Sequence, residues 1–123
     1  LRMRDHYGTS LLYITHDLAV ARQICDRIAV MYLGKIVAMG KATDIIDDPL
    51  HPYTRALIRA IPIPDPKRTN AKATISGEVP SPINIPQGCR FHPRCPHARE
   101  ICREKEPEIR EIESGRWIAC HLY

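Results

Sequence analysis

The sequence predicts an α/β fold that passes into an irregular extension rich in proline and cysteine. Three observations carry this. An aliphatic run, Ser10–Thr15, is followed by apolar residues at helical spacing, the order of a parallel α/β unit. A second apolar stretch, Arg27–Met39, is interrupted by a glycine, as a β-hairpin requires. All eleven prolines of the 123 residues lie after residue 48, and four of the five cysteines lie in the last 35.

The elements follow in order. Leu11, Leu12, Tyr13 and Ile14 read as a buried strand of a parallel sheet. Asp17 is placed to cap a helix over Asp17–Cys25, with Leu18, Ala21 and Cys25 on its apolar side. Cys25 on that side reads as a small hydrophobe. Arg27–Leu33 and Ile36–Met39 form the hairpin, with Gly34-Lys35 at its turn. Thr43 caps a short helix that runs through Asp47 and stops at Pro49. Pro52 suits the first position of another helix, running to about Ala60 with Leu57, Ile58 and Ile61 inward. Three prolines between Pro62 and Pro66 forbid helix and place a linker at 62–73. Thr74–Val79 reads as a short strand, Pro80–Gly88 as an extended loop and Pro96–Cys102 as a short helix. Glu113-Ser114-Gly115 reads as a turn between two short strands that end near Cys120.

Composition narrows the function classes. With 44% hydrophobic and 26% charged residues the chain is an ordinary globular sequence, and at 6% aromatic its core must be mostly aliphatic. No stretch approaches the ~18 consecutive apolar residues of a membrane span. Leu1–His6 is charged, unlike a secretory leader. The segment reads as part of a helix and does not start with Met, so a longer protein is expected to precede it. The net charge of +4 is spread among interleaved acids and bases, without the Lys/Arg block or the interleaved aromatics of a nucleic-acid surface.

His16 directly follows the first apolar run. A polar side chain there sits at the carboxyl edge of a parallel sheet, where such sheets bind ligands. Three residues alone would fit a solvent-facing loop equally well. The longer run LLYITHDLAVARQICDRIAVMYLGKIVAMG, Leu11–Gly40, resembles the switch-histidine region of ABC-type ATPases. The segments PLHPYTRALIRAIPIPDP (Pro49–Pro66) and SGEVPSPINIPQGCRFHPRCP (Ser76–Pro96) resemble the C-terminal extension of oligopeptide and dipeptide ABC transporter ATP-binding subunits.

That resemblance implies a C-terminal fragment of a P-loop ABC ATPase core over residues 1–48, comprising strand, helix, hairpin and short helices. The transporter-type extension then occupies 49–123, Cys-rich from 89. It implies that His16 contacts the nucleotide's γ-phosphate and positions water, with Asp17 supporting the turn or contacting the partner subunit. ATP and magnesium would be held mostly by a part that precedes this chain. Transmembrane permease subunits and a second ATP-binding subunit, identical or not, would be the partners, with no nucleic acid. The protein would lie peripherally on the cytoplasmic face of the membrane. None of the glycines gives the G-x-x-x-x-G-K-[ST] spacing of a phosphate cradle, and no strand ends in a magnesium-binding Asp-Glu. The chain alone is therefore not expected to hydrolyse ATP.

Cys89, Cys95, Cys102 and Cys120 are spaced x5, x6 and x17. Zinc usually takes C-x2–4-C pairs, in which one turn presents two sulfurs. A [4Fe–4S] cluster is larger, and each iron takes a thiolate from a different direction, so the wider gaps suit a cluster better. His92, His97 and His121 keep zinc open as an alternative, and free or disulfide-bonded thiols remain a third use. Either metal centre with four thiolates carries a charge of about −2, which Arg90, Arg94, Arg99 and Arg103 could offset. Some relatives in the resembling family hold an iron–sulfur cluster here. A structural staple is the expected role, since a Pro-rich tail buries little. The competing reading is a standalone iron–sulfur or zinc module with a redox or sensing role, against which the ATPase-like first forty residues stand.

Overall fold

A computed structural model describes residues 2–61, 77 and 80–123. Helix α1 spans Arg2–Tyr7, α2 Leu18–Ile24, α3 Ala42–Asp47, α4 Pro52–Arg59 and α5 Glu100–Glu104. Strands β1 (Arg27–Tyr32), β2 (Lys35–Lys41), β3 (Arg110–Glu113) and β4 (Arg116–Ile118) form one sheet in the order β1-β2-β4-β3. Every neighbouring pair is antiparallel.

The first hairpin closes on Leu33 and Gly34, at φ 45° and 79°. Two successive positive φ values match the right-handed twist of the strands. The turn thus sits one residue earlier than Gly34-Lys35. Along β1 the side chains alternate strictly, so Ile28, Val30 and Tyr32 enter the core. The second hairpin turns at Ser114-Gly115, where Gly115 takes φ 74°, as the sequence predicts.

The two hairpins meet through Ala38 opposite Ile118 and Met39 opposite Trp117. The Ala119 N–H extends this seam to the Val37 carbonyl at 2.9 Å. Helix α3 packs on the sheet through Ala42, Ile45 and Ile46, and α2 packs on α3 with Ala21 in the same core. Phe91, 2% exposed, completes the core from the Cys-rich segment. It meets Tyr32 edge-on at 5.3 Å between ring centroids and Tyr53 at 5.3 Å. The scarce aromatics are therefore concentrated where the extension docks.

Asp17 caps α2 as expected, its Oδ1 accepting from the N–H groups of Ala19 (2.9 Å) and Val20 (3.1 Å). Pro52 opens α4 as expected. Four expectations need correction. Ser10–Thr15 is not a strand, and Leu12 and Ile14 are about nine-tenths exposed. A parallel strand needs neighbours on both sides, and among the described residues none pairs with this run. Cys25 lies just beyond α2 as its C-cap, half-buried against the core. Thr43 lies inside α3, whose N-cap is Lys41 with no side-chain cap; the Thr43 hydroxyl points to Asp44 instead. The helix expected over Pro96–Cys102 begins only at Glu100: Pro96 and His97 form a turn, Arg99 is the N-cap, and a separate 3-10 turn, His92–Arg94, precedes them. The linker at 62–73 and, apart from Gly77, the strand at 74–79 lie outside the described residues.

Candidate functional site

Four thiols converge where the Cys-rich segment folds over the hairpins. Cys89 is joined to α5 by its N–H, which donates to the Cys102 carbonyl at 2.8 Å. The approach is close because residue 88 is glycine. A Cβ there would lie 2.5 Å from the Cys102 carbonyl oxygen, and Gly88 takes φ +73°. Cys95 ends the 3-10 turn, with its N–H on the His92 carbonyl at 3.3 Å. Cys102 lies buried in α5. Cys120 follows β4, and its carbonyl accepts from Tyr123 N–H at 3.4 Å. All five cysteines are free thiols.

Cys89 feels the charge of Cys95, Cys102 and Cys120, Cys95 that of Cys102, and Cys120 that of Cys95 and Cys102. Burial pushes Cys89, Cys95 and Cys120 up from the usual thiol range, and the neighbouring thiols push the same way. Main-chain N–H groups oppose this: Phe91 donates to Cys89, His97 to Cys95 and Leu122 to Cys120. In each case the donor is two residues beyond the sulfur. The fourth sulfur, Cys102 Sγ, accepts the Arg99 N–H at 3.5 Å. A hydrogen bond to an ionised acceptor is about twice as strong as a neutral one, so these donors pull toward thiolate against the larger effect of burial. Among the described residues, no three His, Cys, Asp or Glu side chains stand close enough for one metal ion. A single zinc would require that closeness, since each Zn–S bond is only ~2.3 Å.

His51 braces the nest from behind. It is 2% exposed and caps α4, its Nδ1 accepting the Tyr53 N–H at 3.1 Å. Its other ring nitrogen donates to the carbonyl of Ala119, next to Cys120. Burial holds its pKa down at about 4, although that last hydrogen bond pulls upward. The unfolded chain takes this proton near pH ~6.5, before the folded one does. Stability is therefore lost as pH falls from the unfolded value toward 4, by about 3 kcal/mol in all. Urea midpoints of the wild type and His51→Asn should diverge across that window. Parallel pH slopes would show that His51 is not the titrating group.

His16 stands apart from the thiols, in an exposed bend between the Thr15 turn and the α2 cap. The Asp17 N–H donates to Thr15 Oγ1 at 2.9 Å and fixes that bend. Among the described residues no hydrogen bond links His16 to the cysteines. Sequence reasoning brought out the four cysteines but missed His51, Gly88 and the sulfur donors. A histidine directly before an N1 proline and a glycine directly before a cysteine were the available signals. The donors are backbone groups and have none.

The family described as oligopeptide/dipeptide transporter, C-terminal region, matches residues 37–102. The oligopeptide transport ATP-binding protein AppF of Bacillus subtilis is 44% identical over 124 residues, covering 98% of this chain and 37% of that protein. The di/tripeptide transport ATP-binding protein DppF of Pseudomonas aeruginosa is 45% identical over 119 residues, covering 97% of this chain and 36% of that protein. The chain thus spans a little over a third of the length of these relatives. No helix among the described residues is long and apolar enough to cross a membrane.

Proposed function

The chain belongs to the family of oligopeptide/dipeptide transporter C-terminal regions, and from that membership we propose that it forms the end of an importer's ATP-binding subunit. The subunit would couple ATP hydrolysis to uptake of peptides or related solutes. The observation that carries this is the family match over residues 37–102, which takes in most of β2, all of α3 and α4, and three of the four nest cysteines. Residues 1–48 are read as the end of the ATPase core and 49–123 as the transporter-type extension. The partners are then permease subunits and a second ATP-binding subunit, met at the cytoplasmic face of the membrane.

His16 serves as the switch histidine, donating to the γ-phosphate of ATP and orienting the attacking water. The Thr15–Asp17 hydrogen bond and the Asp17 cap hold it at the start of α2. This chain has no phosphate cradle of its own, so hydrolysis belongs to the whole subunit. Phosphate release should be absent from this chain alone and present in the subunit that contains it. His16→Ala in that subunit should lower turnover by about a hundredfold or more. Steady hydrolysis by the isolated chain would sink the division of labour, and an unchanged His16→Ala would sink the histidine's role.

The four thiols are assigned as ligands of a [4Fe–4S] cluster, with zinc as the alternative. Support comes from the four N–H donors on sulfur and from thiols that sense one another's charge. When bound, such a cluster would supply a covalent staple between the Cys89–Cys95 loop, α5 and the turn after β4.

A further inference from the structure

His16 lies in a bend that the core does not reach. Among the described residues, none from 10 to 20 belongs to the core. Leu12 and Ile14 stand exposed before the bend, and Ala19 and Val20 stand exposed after it. The first core residue on this side is Ala21, in α2. Packing therefore does not set the geometry of the bend, and local hydrogen bonds must.

Two residues supply them. Thr15 Oγ1 accepts the Asp17 N–H at 2.9 Å. Asp17 Oδ1 accepts the N–H groups of Ala19 and Val20, at 2.9 and 3.1 Å, and the Asp17 carbonyl accepts the Ala21 N–H at 3.1 Å. The two clamps hold different things. The bonds accepted by Asp17 all run forward, into α2. The bond accepted by Thr15 closes a small ring that contains both main-chain torsions of His16. Among the described residues it is the one bond that fixes the direction in which the histidine leaves the chain. The His16 side chain is exposed, and among the described residues it makes no hydrogen bond.

We propose that Thr15 is a positioning residue for His16: its hydroxyl, by accepting the Asp17 N–H, aims the histidine at the γ-phosphate and the attacking water. This rests on the switch-histidine reading above. A group that orients a water or a proton must stand within about 2.6–3.2 Å of its target, and a misplacement of ~1 Å can cost ~100-fold in rate. Thr15 touches neither nucleotide nor water in this role and acts only through the histidine. Valine at this position keeps the β-branched shape and removes the acceptor. Serine keeps the acceptor.

The test uses the whole ATP-binding subunit that contains this chain and reads kcat and KM for ATP. Thr15→Val should lower kcat about tenfold and leave KM within about twofold of wild type, because orientation is lost and binding is not. Thr15→Ser should turn over within about twofold of wild type, and so should Thr43→Val, the same exchange made on α3. Thr15→Val combined with His16→Ala should be no slower than His16→Ala alone, since the hydroxyl then has nothing left to position. A wild-type kcat in Thr15→Val, or a raised KM with kcat kept, overturns the proposal while His16→Ala remains slow. So does a serine variant as slow as the valine one, or a double variant slowed by the product of both single effects. An unimpaired His16→Ala overturns the histidine's role, and this inference with it. Should Thr15→Val fail to fold, Thr15→Ala is read in the same way. If neither folds, the bond holds the fold rather than the histidine, and the proposal is overturned.

Discussion

Gly88→Ala is expected to destabilise the protein by about 3 kcal/mol or more and to scatter the four thiols. Two costs act together. The backbone sits at φ +73°, where a side chain is strained by an amount of order 1–3 kcal/mol. The added methyl would also fall 2.5 Å from the Cys102 carbonyl oxygen and 2.7 Å from the carbonyl of Arg103. Both obstacles are backbone, so no rotamer change relieves them. The segment must lift, and the first bond to go is Cys89 N–H to the Cys102 carbonyl. A structural effect alone would lower the urea midpoint. Loss of the nest would also raise the reactivity of Cys102, which is buried in the native fold. Gly115→Ala is the matched control, since it shares a positive φ of 74° but meets nothing within 4 Å. If the two variants cost the same, the close approach at Gly88 carries no weight.

The contrast between the two hairpins and the Ser10–Thr15 run shows what a sequence encodes locally. Gly34 and Gly115 each mark a turn whose backbone only a few residue types accept, so both hairpins were legible to within a residue. Pro52 and Asp17 mark helix starts for equally local reasons. The run Leu11–Ile14 has the composition of a buried strand, but burial depends on neighbours, and its periodicity cannot say which segments supply them. The β2–β4 seam was invisible for the same reason. Ala38 and Ile118 are eighty residues apart in the chain, and nothing near either residue names the other. The site divides in the same way. Cysteine is rare enough that its spacing points to a shared centre. What favours thiolate there is supplied by the N–H groups of Phe91, His97, Leu122 and Arg99, and every residue except proline has one.

The seam itself is locked by Arg116, and its removal carries the second large effect. Arg116 is 7% exposed, and its guanidinium bonds to Asp48 Oδ2 at 3.1 Å and Glu113 Oε2 at 3.2 Å. It also donates to the carbonyls of Asp44, at 3.3 Å, and of Asp48. The ion pairs contribute little, because Asp48 and Glu113 keep 73% and 66% of their side chains in water. The carbonyls matter more. They belong to the C-terminal end of α3, which has no further helix to satisfy them, and a hydrogen bond from a charged donor contributes ~1.5–3 kcal/mol. Arg116→Met, which keeps the bulk but donates nothing, should therefore cost about 3 kcal/mol. Asp48→Asn and Glu113→Gln should each cost under ~1 kcal/mol, because the exposed acids simply rehydrate. Raising salt to ~1 M should leave the Arg116→Met penalty nearly unchanged, since screening acts on exposed charges and hardly on buried donors. Equal penalties for Asp48→Asn and Arg116→Met, or a penalty that vanishes in salt, would mean that the surface ion pairs hold β4 to α3. The predicted order instead makes Arg116 a helix cap supplied by a strand some seventy residues away, so that α3 and the extension are stable only together.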